Sequence, residues 1–253
     1  MKLSLRLPAV FAVVLASTLL VPAQVPADSG DLPAAATVVD RSIAHHDPEG
    51  RWGNAGFEMS FRETRPDGSE RRTRVRFNDR LDAFEILTQR EEAAIEGLLA
   101  GDDCVLTLDG STEFSDQEAE KYRLTCERIQ WLRNYYTYLW GMPMKLRDPG
   151  TRVDPEVTDA WYQERQVLSV RVTYDEAVGS DTWYFYFDPQ TYALVGYRFY
   201  HDEAANDGEY IVLKGETEAA GMRIPTTRSW FTNAEGRHLG DDILAAIDVS
   251  LED

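Results

Sequence analysis

Few residues in this chain have the chemistry to cut or transfer a bond. Four histidines occur in 253 residues: His45, His46, His201 and His238. His45-His46-Asp47 closes one amphipathic run and His201-Asp202 closes a strand-like one. A helix end and a strand end could thus meet as a metal-ligating or acid–base site. A metal-dependent hydrolase using His45 or His46 with His201 and Asp202 is one reading. Adjacent helical residues do not face one way, so His45 and His46 can hardly serve a single ion. Histidines that complement a helix C-terminal dipole are the simpler account of the pair. The segment Asp202-Glu-Ala-Ala-Asn-Asp-Gly-Glu209 is oxygen-rich but lacks the alternating ligands of a calcium loop. The chain contains no G-x-G-x-x-G, phosphate loop, G-x-S-x-G, H-E-x-x-H or C-x-x-C. This reading names no catalytic residue, no metal set and no cofactor.

Aromatic residues are more telling. Asn134-Tyr-Tyr-Thr-Tyr-Leu-Trp-Gly141 and Thr182-Trp-Tyr-Phe-Tyr-Phe187 place large rings on both faces of a helix and of a strand, more than a one-sided core requires. Trp183, Phe185 and Phe187 fall on one sheet face, Tyr184 and Tyr186 on the other. One face can be core and the other a ligand or partner surface, or both can be buried.

These residues need elements to hold them. Ala35, Val38, Val39, Ser42 and Ile43 recur at helical spacing and stop at Asp47-Pro48-Glu49-Gly50. Phe57, Met59 and Phe61 then alternate with Glu58, Ser60 and Arg62. The turn Arg65-Pro66-Asp67-Gly68 leads into Thr73, Val75 and Phe77 alternating with Arg72, Arg74 and Arg76, which makes a hairpin. Residues 82–100 are ambiguous: Thr88-Gln-Arg-Glu91 matches a capping box and propensity favours helix, while Phe84-Glu-Ile86-Leu and Ile95-Glu-Gly-Leu98 fit strands. Cys104-Val-Leu-Thr-Leu108 is a strand. A capping box at Ser115-Asp-Gln-Glu118 opens one long helix with Tyr122, Cys126, Ile129, Leu132, Tyr136 and Leu139 or Trp140 on a face, ended by Gly141 and Pro143. Strands follow at 167–174, 182–187, 193–201, 209–218, 224–232 and 243–251. So many short strands require an antiparallel sheet that curls or closes, with two helices left to cover its open face.

Lys2 and Arg6 precede an apolar run over 7–20, too short to span a bilayer, and small residues then offer a cleavage point after Ala27. A signal peptide at 1–27 is expected, followed by one domain over 28–253. The whole chain carries 26 basic and 44 acidic residues, net −18; losing Lys2 and Arg6 leaves 24 against 44, or −20. Such a balance argues against gripping nucleic acid, and no later run approaches a membrane span. In an oxidising compartment Cys104 and Cys126 read as one disulfide pinning the long helix to the preceding strand.

Several segments together carry a family resemblance. Ser42-Ile-Ala-His-His-Asp-Pro-Glu-Gly50, Tyr122-Arg-Leu-Thr-Cys126, Tyr135-Tyr-Thr-Tyr-Leu-Trp-Gly-Met-Pro-Met-Lys-Leu146, Val172-Thr-Tyr-Asp-Glu-Ala-Val-Gly179 and Asp181-Thr-Trp-Tyr-Phe-Tyr-Phe-Asp-Pro189 resemble a family of secreted bacterial proteins of uncharacterised function. Gly221-Met-Arg-Ile-Pro225, Trp230-Phe and Gly236-Arg extend the likeness over residues 35–250. That family looks like the outer-membrane lipoprotein carrier (LolA-like) superfamily. The resemblance implies an α+β, mainly β fold: an unclosed, strongly curved antiparallel barrel whose apolar concave face is lidded by helices and receives acyl chains. It also implies strands rather than helix over 82–100. The two cysteines and the long capped helix depart from the superfamily pattern.

The resulting expectation is a secreted or periplasmic, non-catalytic protein that binds an apolar or acylated ligand. Phe57, Met59, Phe61, Trp183, Phe185 and Phe187 would form the concave face, with Leu139 and Trp140 from the lid. The metal-dependent hydrolase, and a structural or partner-binding module with a filled core, are the alternatives.

Overall fold

The computed structural model describes residues 32–90 and 92–251; the expected signal peptide at 1–27 lies outside them. Helix α1 (Ala35–His46) buries Ala35, Val38, Val39 and Ser42 of the expected stripe, half-buries Ile43, and also buries His46. Asp47 follows it, and its carboxylate accepts from the backbone N–H groups of Arg51 and Trp52, each at 2.8 Å. This fixes the loop that carries Trp52 against Phe57 and Phe77.

Strands β1 (Gly56–Thr64) and β2 (Glu70–Asn78) form the expected hairpin. Residues 83–90 and 93–100 are strands, as the resemblance implied and helix propensity did not: β3 (Ala83–Arg90) and β4 (Ala93–Ala100) continue the meander into β5 (Asp103–Leu108). Tertiary pairing overrides propensity here. Phe84 and Ile86 of β3 and Leu99 of β4 are all buried on the face that β1 and β2 also bury.

The one long helix expected from Ser115 onward is two. Helix α2 (Asp116–Tyr122) has the capping box, then Arg123 turns left-handed at φ 56°. Thr125 caps a new helix, α3 (Cys126–Trp140), by accepting from the Arg128 N–H at 3.2 Å. The side-chain oxygen satisfies one of the donors orphaned at the restart. The Cys104–Cys126 disulfide, with Cα atoms 6.1 Å apart, ties the first residue of α3 to β5.

The second half contains nine strands where six were expected: the expected 209–218 and 224–232 each divide in two, and β6 (Thr151–Tyr162) is new. Next come β7 (Arg165–Tyr174), β8 (Thr182–Phe187), β9 (Leu194–Tyr200) and β10 (Glu209–Lys214). A small hairpin, β11 (Thr217–Ala219) with β12 (Met222–Ile224), interrupts the sheet before β13 (Thr227–Thr232) and β14 (His238–Ser250). All main-sheet pairs are antiparallel, in the order β5-β4-β3-β2-β1-β14-β13-β10-β9-β8-β7-β6. The last strand thus joins the two halves by pairing with the first, and β5 and β6 remain free edges of an unclosed sheet. β6 tolerates Pro155, beside a register break, because an edge strand has one side with no ladder to donate to.

One face of the sheet carries the main core. Side chains from β1–β4, β7–β9, β14, α1 and α3 form a single buried cluster. Gly97 on β4 lacks a side chain where α3 lies closest: a Cβ there would sit 2.5 Å from Ile129 Cδ1. The opposite face of the second half has a smaller cluster of Tyr162, Val167, Tyr186, Val195 and Val212. Tyr162 folds over Gly196 and donates to the Ile211 carbonyl at 2.7 Å.

Candidate functional site

The alternation of β1 and β8 brings six of the eight expected binding residues to the concave core. Phe57, Met59, Phe61, Phe185 and Phe187 are buried there, and Trp183 is half-buried at the margin, stacked on Phe185 with centroids 5.9 Å apart. α3 supplies the other two. Trp140 packs on Phe61 at 4.6 Å, Leu139 is buried beside it, and Tyr136 stacks on the same Phe61 ring at 5.2 Å. The face is therefore apolar, aromatic and covered by α3, and in this conformation these side chains fill it.

A polar row that sequence reading missed crosses the same face. Register places Arg71 of β2 opposite Glu63 of β1, Glu63 opposite Asp242 of β14, and Asp242 opposite Arg228 of β13. Cross-strand partners share a face, so two cations flank two carboxylates under α3. The available signal was period two: Glu63 continues Phe57, Met59 and Phe61, and Arg71 continues Phe77, Val75 and Thr73.

Each member is held differently. Arg71 grips Glu63 with two N–H donors at 2.7 and 2.5 Å, and Thr73 and Tyr136 hydroxyls add bonds at 2.7 and 2.8 Å. Burial works against the Glu63 charge, but these donors together hold its carboxyl below the usual range. Asp242 behaves oppositely. Burial, and then the Glu63 charge, push its carboxyl up, although Trp230 Nε1–H at 2.8 Å and the Tyr135 hydroxyl at 3.1 Å donate to it. Arg228 stacks 3.4 Å over the Trp140 ring and donates to the carbonyls of Leu139 and Pro225 at 3.0 and 3.2 Å. Burial lowers its pKa.

The hydrolase expectation is corrected by the histidines themselves. His46 is buried; its Nδ1–H donates to the Arg223 carbonyl at 2.7 Å, and Nε2 accepts from the Leu194 N–H at 2.9 Å. Both ring nitrogens are thereby spent on backbone. Burial pushes its pKa down to about 4, and an acceptor role for Nε2 suits the neutral ring. His45 lies 3.8 Å from Glu216, His201 pairs with Asp181 at 2.8 Å, and Asp202 caps a short turn through the Ala204 N–H. Among the described residues no three His, Cys, Asp or Glu side chains gather as a metal set.

Outside the core, an open depression of about 490 Å³ borders Glu58, Arg76, Leu81, Ala83, Glu85 and Leu98. Phe57, Phe77 and Phe84 also border it yet are only 3, 4 and 1% exposed. Glu58, Arg76, Glu85 and Leu98 oppose one another in register and alternate with the core residues, which puts the depression on the convex side. Among the described residues no helix is long and apolar enough to cross a membrane.

Comparisons with known proteins agree with this architecture. The chain resembles a LolA superfamily protein from Nitrosomonas europaea, with a TM-score of 0.52 and 11% identity over 88% of this chain and 95% of that one. Weaker likenesses are to an outer membrane lipoprotein-sorting domain from Vibrio parahaemolyticus (TM-score 0.49, 12% identity, 84% and 91% covered) and a DUF1329 family protein from Desulfovibrio piger (0.46, 7%, 85% and 92%). At these identities the likeness concerns the fold. No curated protein matches the sequence. A family model does match, across residues 12–246. The protein is accordingly a member of DUF6503, a family of unknown function, built on a LolA-like sheet.

Proposed function

We propose that the protein is an extracytoplasmic, periplasmic binding protein that takes an apolar or acylated ligand between the concave face and α3 without catalysing a reaction. One observation carries this reading. The concave face of an unclosed, LolA-like sheet is apolar and aromatic apart from the row between Arg71 and Arg228, and besides α1 its cover is α3. That helix is tied covalently at its N-terminal end only, through Cys104–Cys126. Its other end, from Leu139 to Gly141, is held by ring packing and by the hydrogen bond from Arg228. Lifting that end exposes Phe61, Trp140 and their neighbours to an incoming chain. The fluctuation costs burial that the ligand's own methylenes then replace, at about 0.8 kcal/mol each.

A protein with a permanently filled core, acting as a partner-binding module, is the second reading. Complete burial of Met59, Phe185 and Phe187 favours it. Titration with a fluorescent fatty acid and with a lipopeptide separates the two. Saturable binding that weakens in Trp140→Ala supports the carrier-like reading. Absence of binding for both probes, with the folded state intact, refutes it.

A further inference from the structure

Arg228 and Asp242 are directly opposed on neighbouring strands, carry opposite charge, and are 1 and 3% exposed. Buried charges in that arrangement ordinarily pair. Here they do not. Among the described residues the cation within ion-pair distance of Asp242 is Arg65, whose Nη1 is 3.6 Å from Oδ1, too long for a hydrogen bond. Oδ1 of Asp242 and Nε of Arg228 both lack a hydrogen-bond partner. A third such atom is the hydroxyl of Tyr197, which is fully buried, faces the guanidinium, and forms no bond in acceptable geometry. Orphaned buried polar atoms are rare and each costs about 1–3 kcal/mol. Two of the three belong to directly opposed residues and the third lies beside the same guanidinium, which marks a place for a polar guest.

We infer that this point, between Asp242, Arg228 and Tyr197, recognises the polar head of the ligand, and that the head is an uncharged group carrying both a donor and an acceptor, such as an amide or a hydroxyl. The inference rests on the binding reading above and deepens it. Asp242 Oδ1 wants a donor, Arg228 Nε–H wants an acceptor, and the Tyr197 hydroxyl can serve either way. The row from Arg71 to Arg228 holds two cations and two carboxylates, with Arg65 outside it and 42% exposed to water, so its own charges already balance. A carboxylate or phosphate head would add an uncompensated charge to a buried site, whereas an amide or hydroxyl would not. α3 closes the site from above: Trp140 covers Arg228, and Tyr135 holds the other oxygen of Asp242. Seating the head and closing the helix are in this way the same event.

The test compares palmitamide with palmitate on the full protein, following quenching of its tryptophans, in wild type, Tyr197→Phe and Asp242→Asn. Removal of the Tyr197 hydroxyl costs the free protein only a poorly aligned contact with Arg228, so a merely structural role leaves the preference between the two probes unchanged. The expected result is palmitamide bound about tenfold more tightly than palmitate, with about fivefold of that preference lost in Tyr197→Phe; Asp242→Asn reduces it also. Equal affinity for both probes, or a preference for palmitate, unaffected by either variant, shows that these atoms do not meet the ligand head and overturns the inference while leaving the binding reading standing. Failure of both probes to bind overturns the two together.

Discussion

Replacing Glu63 by Ala should destabilise the protein far more than replacing Glu63 and Arg71 together. The carboxylate accepts four bonds, two from Arg71 and one each from Thr73 and Tyr136. Its loss strands a guanidinium whose side chain is 31% exposed and so keeps limited access to water. Breaking a buried ion pair from one side costs about 3–5 kcal/mol, and partial solvation of Arg71 points to the lower end. The Thr73 and Tyr136 hydroxyls each lose their acceptor under α3, adding about 1 kcal/mol apiece. A total of about 5 kcal/mol follows. The double variant Glu63→Leu with Arg71→Met removes both charges and fills similar volume, so about 1–2 kcal/mol should suffice, most of it from the two hydroxyls. Urea unfolding at pH 7, read as a change in midpoint at constant slope, measures both. A single variant that loses under 1 kcal/mol, or a double variant as damaged as the single one, refutes the claim that this buried pair is a mutually dependent unit.

Three further outcomes follow from particular contacts. His46 has a folded pKa of about 4 against a reference of 6.5; the unfolded chain binds that proton first, so stability falls as pH drops from 6.5 towards 4, by about 3 kcal/mol in all. Urea midpoints across that range check it, and a slope no flatter in His46→Gln would contradict it. Replacing both cysteines with Ser opens a link across a sequence separation of 22 and should cost about 3 kcal/mol, with faster amide exchange at the N-terminal turn of α3 as the local sign. Gly97→Val drives a side chain into Ile129, whose Cδ1 and Cγ1 would lie 2.5 and 2.8 Å from a Cβ; displacement of α3 should cost about 1–3 kcal/mol, measured by thermal unfolding, and a neutral result would show that α3 packs elsewhere.

How much of this was readable from residue order depends on the element. Period-two alternation identified β1 and β2, because one face of each is buried and the other wet, and it sorted the rings of β8 although Tyr186 buries the second face there as well. β6 escaped notice for the converse reason. As an edge strand it buries only Val157 and Tyr162 and exposes Trp161 at 77%, so no alternation marks it. The break between α2 and α3 was hidden because Thr125-Cys-Glu-Arg128 caps without the acidic third residue of a capping box, and a left-handed Arg123 has no compositional sign. Period two points Glu63 inward, but the inward charges of Glu63, Asp242 and Arg228 are hard to accept from residue order for a deeper reason. A charged residue in an alternating strand reads as outward, and only the partner strand, distant in sequence, supplies the counter-charge that lets it turn in. Glu63 and Asp242 are neighbours only because the first and last strands pair.

The central claim is that an acyl chain lies between α3 and the concave face, in contact with Trp140 and Trp183. A dibrominated fatty acid quenches tryptophans that its chain touches, and titrating it against wild type, Trp140→Phe and Trp183→Phe locates the chain. The account predicts saturable quenching of wild type that falls sharply in both variants, while Trp161 on the exposed edge keeps its emission. Quenching that is absent, or that persists unchanged in both variants, would contradict it.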